Sequence, residues 1–378
     1  MKTLLFITAG PYFWPHQKAS TAKYEWLSKH ADGFILSFVC AKAWRRVQIN
    51  NFQLIGFYIN DRTTYNSFVL RTIARIVFVL ITSLYLHYFR KRLDAIITWD
   101  PFLTGMLGYI VSKLTGAKLI VEVNGDYADP QNWEMHKFNL LTYLKIQYIR
   151  RAVPFILNRA HAVKLLYPTQ VDCFQGLTHT EHYRCFHDLV PISLYGPGTG
   201  TSPYILFIGH PWHRKGVDVL IKAFNQVSPE FPEWVLKVIG HLPEREQFRF
   251  MYEHNTQIQF PGPVMPEKVP SLLSQCSLFV LPSRSEGMPR VLFEAMASRK
   301  PIITSRVSGI PYYMKHEDTA LLFDSEDVNG LALAMRTLIS DRKLADRLAN
   351  NGYRYVWMHL SEELHVRQFM RMIDEITM

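Results

Sequence analysis

Residues 278–297 read LFVLPSRSEGMPRVLFEAMA, a stretch that runs from an apolar strand through a polar loop into a helix. Pro289 falls where the helix would start, a position that suits its fixed φ and missing N–H. The amides of Gly287 and Met288 then lie just ahead of a helix N-terminus, where unpaired N–H groups and the positive end of the helix dipole favour phosphate. The stretch therefore predicts a strand–loop–helix unit of an α/β domain with an anion site in its loop.

Glu294 lies further along the same helix, about 7.5 Å from Pro289 at 1.5 Å per residue. Apolar residues flank it on nearly every side, so the helix is predicted to be buried and its carboxylate to need partners. Ligand hydroxyls are one candidate. Arg290 is the other, because a spacing of i−4 alone permits an ion pair. Glu286 in the loop, taken alone, is typical of a solvated acid.

A second loop of the same kind follows the apolar run 204–208 and contains Gly209, His210 and the cations Arg214 and Lys215, just before a helix that starts near residue 217. Two cations at such a place are suited to neutralise a diphosphate. An ordinary surface loop with solvated charges is the alternative. Two phosphate-suited loops in one domain favour the diphosphate.

Apolar, strand-like runs recur along the whole chain with helical segments between them. Such continuously apolar strands are buried on both faces, as in a parallel sheet covered by helices. A Gly- and Pro-rich segment at 195–203 separates two series and is the predicted linker. The first series comprises 4–8, 34–39, 95–98 and 119–123, and the second comprises 204–208, 235–239, 278–281 and 302–304.

The sequence therefore predicts an α/β protein with two doubly wound Rossmann-like domains facing a central crevice, residues 1–195 and 196–357. The length of 378 residues agrees with two domains at about 150 residues each. A last helix over 358–378 carries an apolar stripe at Val366, Phe369, Met370 and Ile373. That stripe needs a surface to bury it.

Composition narrows the function classes. Hydrophobic residues make up 48% and charged residues 20%, which excludes a disordered or fibrous chain. The 42 Lys and Arg less 32 Asp and Glu leave a charge of +10, which calls for an anionic partner: a phosphate-bearing small molecule, an acidic membrane or nucleic acid. Nucleic acid is the least favoured, because no RNA- or DNA-reading motif is present.

Several patterns are missing from the sequence. No Gly-x-Gly-x-x-Gly follows a predicted strand, which argues against a nucleotide-dependent oxidoreductase. Neither Asp-x-Asp nor His-Glu-x-x-His occurs, so no metal or other tightly bound cofactor is predicted. The four cysteines lack metal or disulfide spacing, and the N-terminal run is predicted to be a strand and not a signal peptide. A reducing, cytoplasmic setting is the expectation.

The longest uncharged apolar stretch is 76–89, flanked by Arg71 and Arg75 on one side and by Arg90, Lys91 and Arg92 on the other. Its fourteen residues fall short of the about 20 that a spanning helix needs. The stretch predicts a helix packed against a sheet, or one buried in a membrane interface with its arginines on lipid phosphates. The two are compatible if only one face is packed.

Two weaker candidates lie in the first half of the chain. The loop after the first strand contains Gly10, Trp14 and His16, which suit a platform for a sugar or an isoprenoid, or a packing role between domains. Asn124 and Asp126 follow the strand 119–123, where Asn-Gly-Asp is also ordinary turn chemistry. Trp14, His16 and Asp126 are the acceptor-site candidates.

Three features together resemble the family 4 retaining glycosyltransferases of GT-B fold. They are Glu286-Gly-x-Pro-x4-Glu294 after an apolar strand, Lys215-Gly after Phe-Ile-Gly, and Gly309-Ile-Pro311 after Pro-Ile-Ile-Thr. The resemblance is strong over residues 203–350 and looser over the first half. The paired glutamates with their E-x7-E spacing are its most specific part, and the last helix is similar to one that crosses back onto the N-terminal domain.

The resemblance implies a nucleotide-sugar co-substrate, with a UDP-sugar favoured. It implies that Lys215 and its neighbour contact the diphosphate, that Glu286 and the following amides contact the sugar, and that Glu294 binds the ribose. Glu286, Lys215 and Asn124 are the implied catalytic residues. The implied donor-binding set is Gly10, Gly209, His210, Arg214, Lys215, Gly240, Val264, Glu286, Gly287, Met288, Pro289, Arg290 and Glu294.

Four residues depart from the family pattern. His210 stands where an Arg is frequent, so donor affinity is expected to depend on pH. Asn124 stands where many members have a His near the reacting sugar. Tyr312 replaces a usual Glu, and Arg299 replaces a common Gly.

The function expected from the resemblance is sugar transfer to a hydroxyl of a glycan or lipid-linked saccharide with retention of anomeric configuration. Bacterial polysaccharide or lipopolysaccharide assembly is the expected context, in the cytoplasm and on the inner face of the plasma membrane. The competing hypothesis is a non-enzymatic basic protein that binds membranes or polyanions. It explains the charge of +10 but not a buried Glu294.

Overall fold

The computed structural model of the protein describes residues 1–8, 17–39, 41–58, 68–125, 140–172, 174–198, 202–241 and 254–378. Four predicted site residues, Gly10, Trp14, His16 and Asp126, lie outside these ranges. The described chain forms two compact units. The first is built from Met1–Asn124, Asn139–Leu189 and Glu362–Met378, and the second from Val190–Ser361.

The first unit contains an eight-stranded sheet in the order β3-β4-β2-β1-β5-β6-β7-β8, in which β3 is antiparallel to β4 and the other neighbours are parallel. The four strands predicted in this half are confirmed as β1, β2, β5 and β6. Their continuous apolar runs are buried on both faces, as expected of central parallel strands. The strands are β1 Lys2–Ile7, β2 Ala31–Phe38, β3 Arg46–Ile49, β4 Phe52–Phe57, β5 Ala95–Thr98, β6 Lys118–Val123, β7 Ala162–Leu165 and β8 Tyr183–Cys185.

Four helices of this unit follow in chain order: α1 Lys18–Leu27, α2 Phe68–Tyr85, α3 Leu103–Thr115 and α4 Leu140–Leu157. A π-helical turn, Leu86–Arg90, extends α2. The apolar stretch predicted at 76–89 is therefore part of a longer helix. Within the described ranges, Thr72–Arg90 is the one segment with the length and hydropathy of a membrane-spanning helix, although most of it is not buried.

The second unit contains a six-stranded, all-parallel sheet in the order β11-β10-β9-β12-β13-β14. Numbered from its own first strand, this order is 3-2-1-4-5-6, the dinucleotide-binding order whose switch point lies between strands 1 and 4. Here those strands are β9 and β12. The strands are β9 Tyr204–Ile208, β10 Val235–Ile239, β11 Ile258–Gly262, β12 Leu278–Leu281, β13 Ile302–Ser305 and β14 Leu321–Phe323.

Six helices lie in the described part of the second unit. Side-chain caps begin two of them, since Asp327 and Asp341 accept hydrogen bonds from the amides of Gly330 and Leu344. The helices are α5 Val217–Val227, α6 Val269–Gln275, α7 Arg290–Ala297, α8 Ile310–Tyr313, α9 Val328–Ser340 and α10 Arg342–His359.

The segment after Leu189 packs with the second unit. Val190 and Ile192 are buried, and the turn Ile192–Leu194 contacts α7. The division after Leu189 therefore falls six residues before the end of the predicted first domain, 195 less 189.

The last helix, α11 Glu362–Thr377, packs in the core of the first unit, as predicted. Val366, Phe369 and Ile373 are buried, and the ring of Phe369 stacks on that of Phe6 with centroids 6.2 Å apart. Met370 packs against the same core from the rim. The apolar stripe seen in the sequence thus has its surface, and the prediction that the terminal helix returns to the first unit is confirmed.

Candidate functional site

Two loops meet at the switch point of the second sheet. β9 and β12 are parallel neighbours, so their carboxyl ends lie at the same edge, and residues 209–216 and 282–289 follow them. Gly216 has φ +68°, and a Cβ built there would lie 1.9 Å from the carbonyl oxygen of Pro282. A side chain at residue 216 is therefore excluded by the facing loop as well as by the backbone conformation.

Hydrogen bonds join these two loops. The amide of Arg284 donates to the carbonyl of Arg214 at 2.8 Å, and the Arg214 guanidinium donates to the carbonyl of Ser285 at 3.2 Å. Arg284 also binds Asp218 of α5 through two bonds of 2.8 Å each. Such a bidentate pair adds geometric specificity as well as energy. The sequence gives no local signal for it, because residues 218 and 284 lie on different elements.

The loops bring Arg214, Lys215 and Glu286 together. Oε1 of Glu286 accepts hydrogen bonds from Nζ of Lys215 and, at 2.7 Å, from Oγ of Ser283. Oε2 lies 3.7 Å from the Arg214 guanidinium. Glu286 is only 5% exposed, so it is a buried, paired carboxylate and not the solvated acid that its loop position suggests in isolation.

Burial lowers the pKa of Lys215, while the charge of Glu286 acts to raise it. The ammonium has three donors, and Glu286 takes one of them. Among the described residues no second hydrogen bond of this ammonium is seen, so two of its N–H groups remain for an anion there. The cluster has two cations and one carboxylate, so its net charge is positive.

Three glycines mark the ends of β9, β10 and β11. The amide of Gly209 donates to the Ile239 carbonyl at 3.0 Å, and that of Gly240 donates to the Gly262 carbonyl at 3.3 Å. Gly240 has φ +145°, and a Cβ there would lie 2.1 Å from the carbonyl oxygen of Gly209. A Cβ at Gly209 would likewise lie 2.9 Å from the Phe207 ring, so both positions need glycine for these strand ends to pack together.

His210 and Val264 follow β9 and β11 at the same edge of the sheet. His210 is exposed, with its ring centroid 5.7 Å from that of His241. Val264 follows β11 and is half-buried. Arg214, Lys215, Gly209, Gly240 and Val264 thus all lie on the side of the sheet where the strands end.

The helix of the first-quoted stretch starts one residue later than predicted. α7 begins at Arg290, with Pro289 as its N-cap. Gly287 is half-buried and Met288 is buried at the approach to the helix. The hydroxyl of Ser308 lies 3.5 Å from the amide of Glu286 and accepts from it, which ties the loop to the segment after β13.

Glu294 has a partner that the sequence did not predict. The Tyr195 hydroxyl forms a side-chain hydrogen bond with its carboxyl group. Burial raises the pKa of Glu294, while the charge of Arg290 and the bond from Tyr195 act to lower it. Arg290 thus contributes charge, as the i−4 alternative expects, but a hydrogen-bond donor comes from the segment assigned to the linker. Tyr195 precedes a Gly-Pro pair that is typical of a linker, so the sequence did not predict its contact with Glu294.

Asn124 belongs to the first unit and is not part of this cluster. It follows β6, and its Nδ2 donates to the carbonyl of Trp99 at 3.0 Å. Its Oδ1 is buried without a hydrogen-bond partner among the described residues. The side chain is therefore fixed at one end and has an unsatisfied acceptor at the other.

Comparison with known sequences finds similarity over the second half of the chain. Residues 197–355 match the sequence model described as "Glycosyl transferases group 1". The lipopolysaccharide core biosynthesis glycosyltransferase LpsD of Rhizobium meliloti is 32% identical over 164 residues, 43% of this chain and 46% of that protein. An uncharacterized glycosyltransferase of Methanocaldococcus jannaschii is 32% identical over 40% of this chain and 43% of its own. These alignments span less than half of either relative.

Solved structures match the whole chain. Sucrose-phosphate synthase from Thermosynechococcus elongatus superposes with a TM-score of 0.82 at 18% identity, covering 100% of this chain and 99% of its own. Anabaena HepE in complex with UDP and glucose gives 0.75 at 16% identity, covering 98% and 99%. At these identities the likeness establishes the fold. The predicted class, two Rossmann-like α/β domains of GT-B type, is confirmed.

Proposed function

We propose that this protein is a glycosyltransferase that takes a sugar from a nucleotide-sugar donor, with a UDP-sugar favoured, and transfers it to a hydroxyl of a glycan or lipid-linked saccharide. One observation carries the proposal. The Arg214–Lys215–Glu286 cluster, whose carboxylate is buried, lies at the switch point of a dinucleotide-type sheet. It also lies inside the region that matches the group 1 glycosyltransferase model.

The donor's diphosphate would bind the cations of the first loop. Two free N–H groups of Lys215 and the nearby guanidinium of Arg214 supply charge-assisted bonds, and the loop amides before α7 add dipoles. The nucleotide would lie at the edge of the sheet where Gly209 and Gly240 follow their strands. Anabaena HepE, described in complex with UDP and glucose, supports a uridine nucleotide as the first donor to test.

Glu286 and Glu294 would divide the contacts to the two sugars of the donor. Glu286, held by Lys215 and Ser283, would bind hydroxyls of the transferred sugar. Glu294 would bind the ribose hydroxyls. The Tyr195 hydroxyl already forms a hydrogen bond with the Glu294 carboxyl group. This contact is consistent with a carboxyl group that binds hydroxyls.

The proposed step retains the anomeric configuration by attack from the face of the leaving group. The bond between C1 and the diphosphate oxygen breaks, and a bond from the acceptor oxygen to C1 forms. The departing diphosphate takes the acceptor's proton, so the products are the glycoside and the nucleoside diphosphate. Lys215 and Arg214 stabilise the charge on the leaving group, which is where fixed cations lower the barrier most.

The proposal includes three further points about context. Transfer needs no tightly bound metal or other cofactor, because the two cations take the charge-neutralising role. The similarity to LpsD supports lipopolysaccharide or related polysaccharide assembly in a bacterium. For such a role the enzyme would lie in the cytoplasm, peripheral on the inner face of the plasma membrane.

A panel of UDP-, GDP- and ADP-sugars, assayed for hydrolysis and transfer, tests the proposal. Lys215→Met should lower turnover about 100-fold, as removal of one charge-stabilising donor does. Lys222→Met on the exposed side of α5 is the matched control and should leave turnover unchanged. NMR of the product assigns its anomeric configuration, and EDTA should have no effect. If no nucleotide sugar binds even at low salt, the proposal is wrong.

A non-enzymatic basic protein is the second candidate, favoured by the net charge of +10. Such a protein binds polyanions through exposed cations, and its affinity falls steeply with salt. Lys215 would contribute little to such binding, because it is only 11% exposed and is paired with a buried carboxylate. Loss of nucleotide binding in Lys215→Met at unchanged polyanion binding separates the two candidates.

A further inference from the structure

One side of α2 is apolar and exposed along its whole length. Its members lie 3, 4, 4, 4 and 3 residues apart, 18 residues over five steps, which is the 3.6-residue period of a helix. Exposures range from 46% to 64%, and Phe89 beyond them is 78% exposed. The members are Leu70, Ile73, Val77, Ile81, Tyr85 and Tyr88.

The opposite side of α2 holds the helix to the first unit. Val79, Ser83 and Leu86 are buried. Phe78 stacks on Phe57 of β4 with ring centroids 4.9 Å apart, and the guanidinium of Arg75 lies 4.4 Å above the ring of Phe38. Because α2 is packed against the first unit along one side, it cannot cross a bilayer as a free helix. Its exposed side can contact only the surface of a partner.

The neighbouring helices continue this exposed surface. The connections β4–α2–β5, β5–α3–β6 and β6–α4–β7 cross the sheet in one direction, so right-handed crossovers put all three helices on one side of it. α2 contacts α3, and α3 contacts α4. α3 exposes Ile110 and Leu114, and α4 exposes Tyr143, Leu144, Tyr148 and Phe155.

Apolar exposure is concentrated on these helices. Of the 22 large hydrophobic residues that are exposed in the described chain, 13 lie on α2 with its π-helical turn, α3 and α4. Scattered exposed apolar residues are normal, but a contiguous patch marks an interaction site. Helix α11 shows the contrast, because its exposed side carries the ion pairs Glu363–Arg367 and Arg371–Glu375.

Charge identifies the partner of this surface. None of the chain's 32 acidic residues lies in α2, its π-helical turn, α3 or α4. We call the exposed side of these three helices the acid-free face. Aromatic and aliphatic side chains beside cations, without acids, complement the interface of a membrane with anionic lipids. Its exposed cations are Arg90, Lys113, Arg150 and Arg151, and the exposed Arg92 follows two residues after the π-helical turn.

We propose that the acid-free face binds the surface of an anionic lipid bilayer, with α2 lying along the interface and its stripe among the headgroups and upper acyl chains. The stripe supplies apolar burial, Tyr85 and Tyr88 lie at headgroup depth, and the cations pair with lipid phosphates. This binding is independent of the proposed transfer activity, because all of its residues lie in the first unit and none belongs to the Arg214–Lys215–Glu286 cluster.

Co-sedimentation of the full chain with phosphatidylglycerol–phosphatidylcholine vesicles tests the proposal, against vesicles of phosphatidylcholine alone. Binding should require the anionic lipid and weaken as the Debye length falls from about 8 Å at 0.15 M salt to about 3 Å at 1 M. Arg90→Gln and Arg92→Gln should each lower the affinity about fivefold. Ile81→Glu should lower it at least about tenfold, because it removes apolar burial and adds a repelled charge.

Leu333→Glu on α9 is the matched control, because Leu333 and Ile81 are both 64% exposed. It should bind vesicles like the unaltered chain. The proposal is overturned if the unaltered chain stays in the supernatant with anionic vesicles, or if Ile81→Glu binds as tightly as Leu333→Glu. A third result would also overturn it: the chain is a dimer, the dimer does not bind vesicles, and Ile81→Glu dissociates it. A second copy of the chain would then cover the face.

Discussion

Replacing Gly216 by alanine tests how closely the two loops of the site are fitted. The added Cβ would lie 1.9 Å from the Pro282 carbonyl oxygen, whereas ordinary contacts begin at 3.4 Å. One loop must therefore move by about 1.5 Å, the difference between these two distances. Arg214 and Arg284, whose backbone bond of 2.8 Å joins the loops, would be displaced with it.

Two effects should lower the free energy of unfolding of Gly216→Ala. A non-glycine residue in the left-handed region costs about 1 kcal/mol. Relief of the clash adds about 1–3 kcal/mol, the usual range for overpacking. Gly262→Ala in the same unit has φ +85° and nothing within 4 Å, so it should show the first cost alone in chemical denaturation. Gly216→Ala should lose at least about 1 kcal/mol more.

Activity should separate the variants further. A displacement of about 1 Å at a positioned charge costs about 100-fold in rate, so Gly216→Ala should lower kcat/KM for the nucleotide sugar by at least that factor. Gly116→Ala in the first unit, with φ +75° and no neighbour within 4 Å, should keep full turnover. Equal unfolding free energies for Gly216→Ala and Gly262→Ala, together with normal turnover, would refute the close fit of the loops.

Three further predictions concern single side chains. Glu294→Ala should weaken product-nucleotide binding in isothermal titration about tenfold or more, whereas Glu286→Gln should lower turnover with little change in affinity; unchanged affinity in Glu294→Ala would leave that residue without a ligand role. Nucleotide affinity should fall as pH rises through the pKa of Lys215, which burial lowers, and Glu286→Gln should move that loss to lower pH because the Glu286 charge raises this pKa; an unmoved profile would contradict the pairing. Burial lowers the pKa of His187 to about 4 from 6.5, so the unfolded chain binds more protons between these values and stability should fall by about 3 kcal/mol as pH drops from 6.5 to 4. Urea denaturation should show a flatter dependence in His187→Gln, and an equal slope would contradict it.

The sequence predicted the central strands because their signal is local. Each continuous apolar run, such as the β1 segment or the β12 segment, needs no knowledge of its neighbours to be assigned. Several other strands were not predicted, because their sequences carry no such local signal. β8 and β14 have three residues each, and β11 alternates buried with exposed residues around Pro261. Their strand character comes from pairing with a neighbour.

In the candidate site, single residues were likewise predictable from local patterns, whereas their contacts were not. Lys215 and Glu286 were found separately, each from its own strand–loop–helix pattern, and their contact was not predictable because 71 residues separate them. Tyr195 was assigned to a linker on the strength of the Gly-Pro that follows it. Its bond to Glu294 depends on the segment after Leu189 folding onto the second unit. The roles assigned to His210, Val264 and Asn124 stay predictions.

Local sequence patterns are enough to show which residue types were available for function: two cation- or amide-bearing loops after apolar strands, paired glutamates, and helices without acids. These follow from composition and from periods of two and 3.6 residues, which are properties of adjacent residues. That β9 lies beside β12, and that one side of α2 is left exposed, became known from the folded chain. Strand order and burial are settled by contacts between distant segments, and no local pattern contains them.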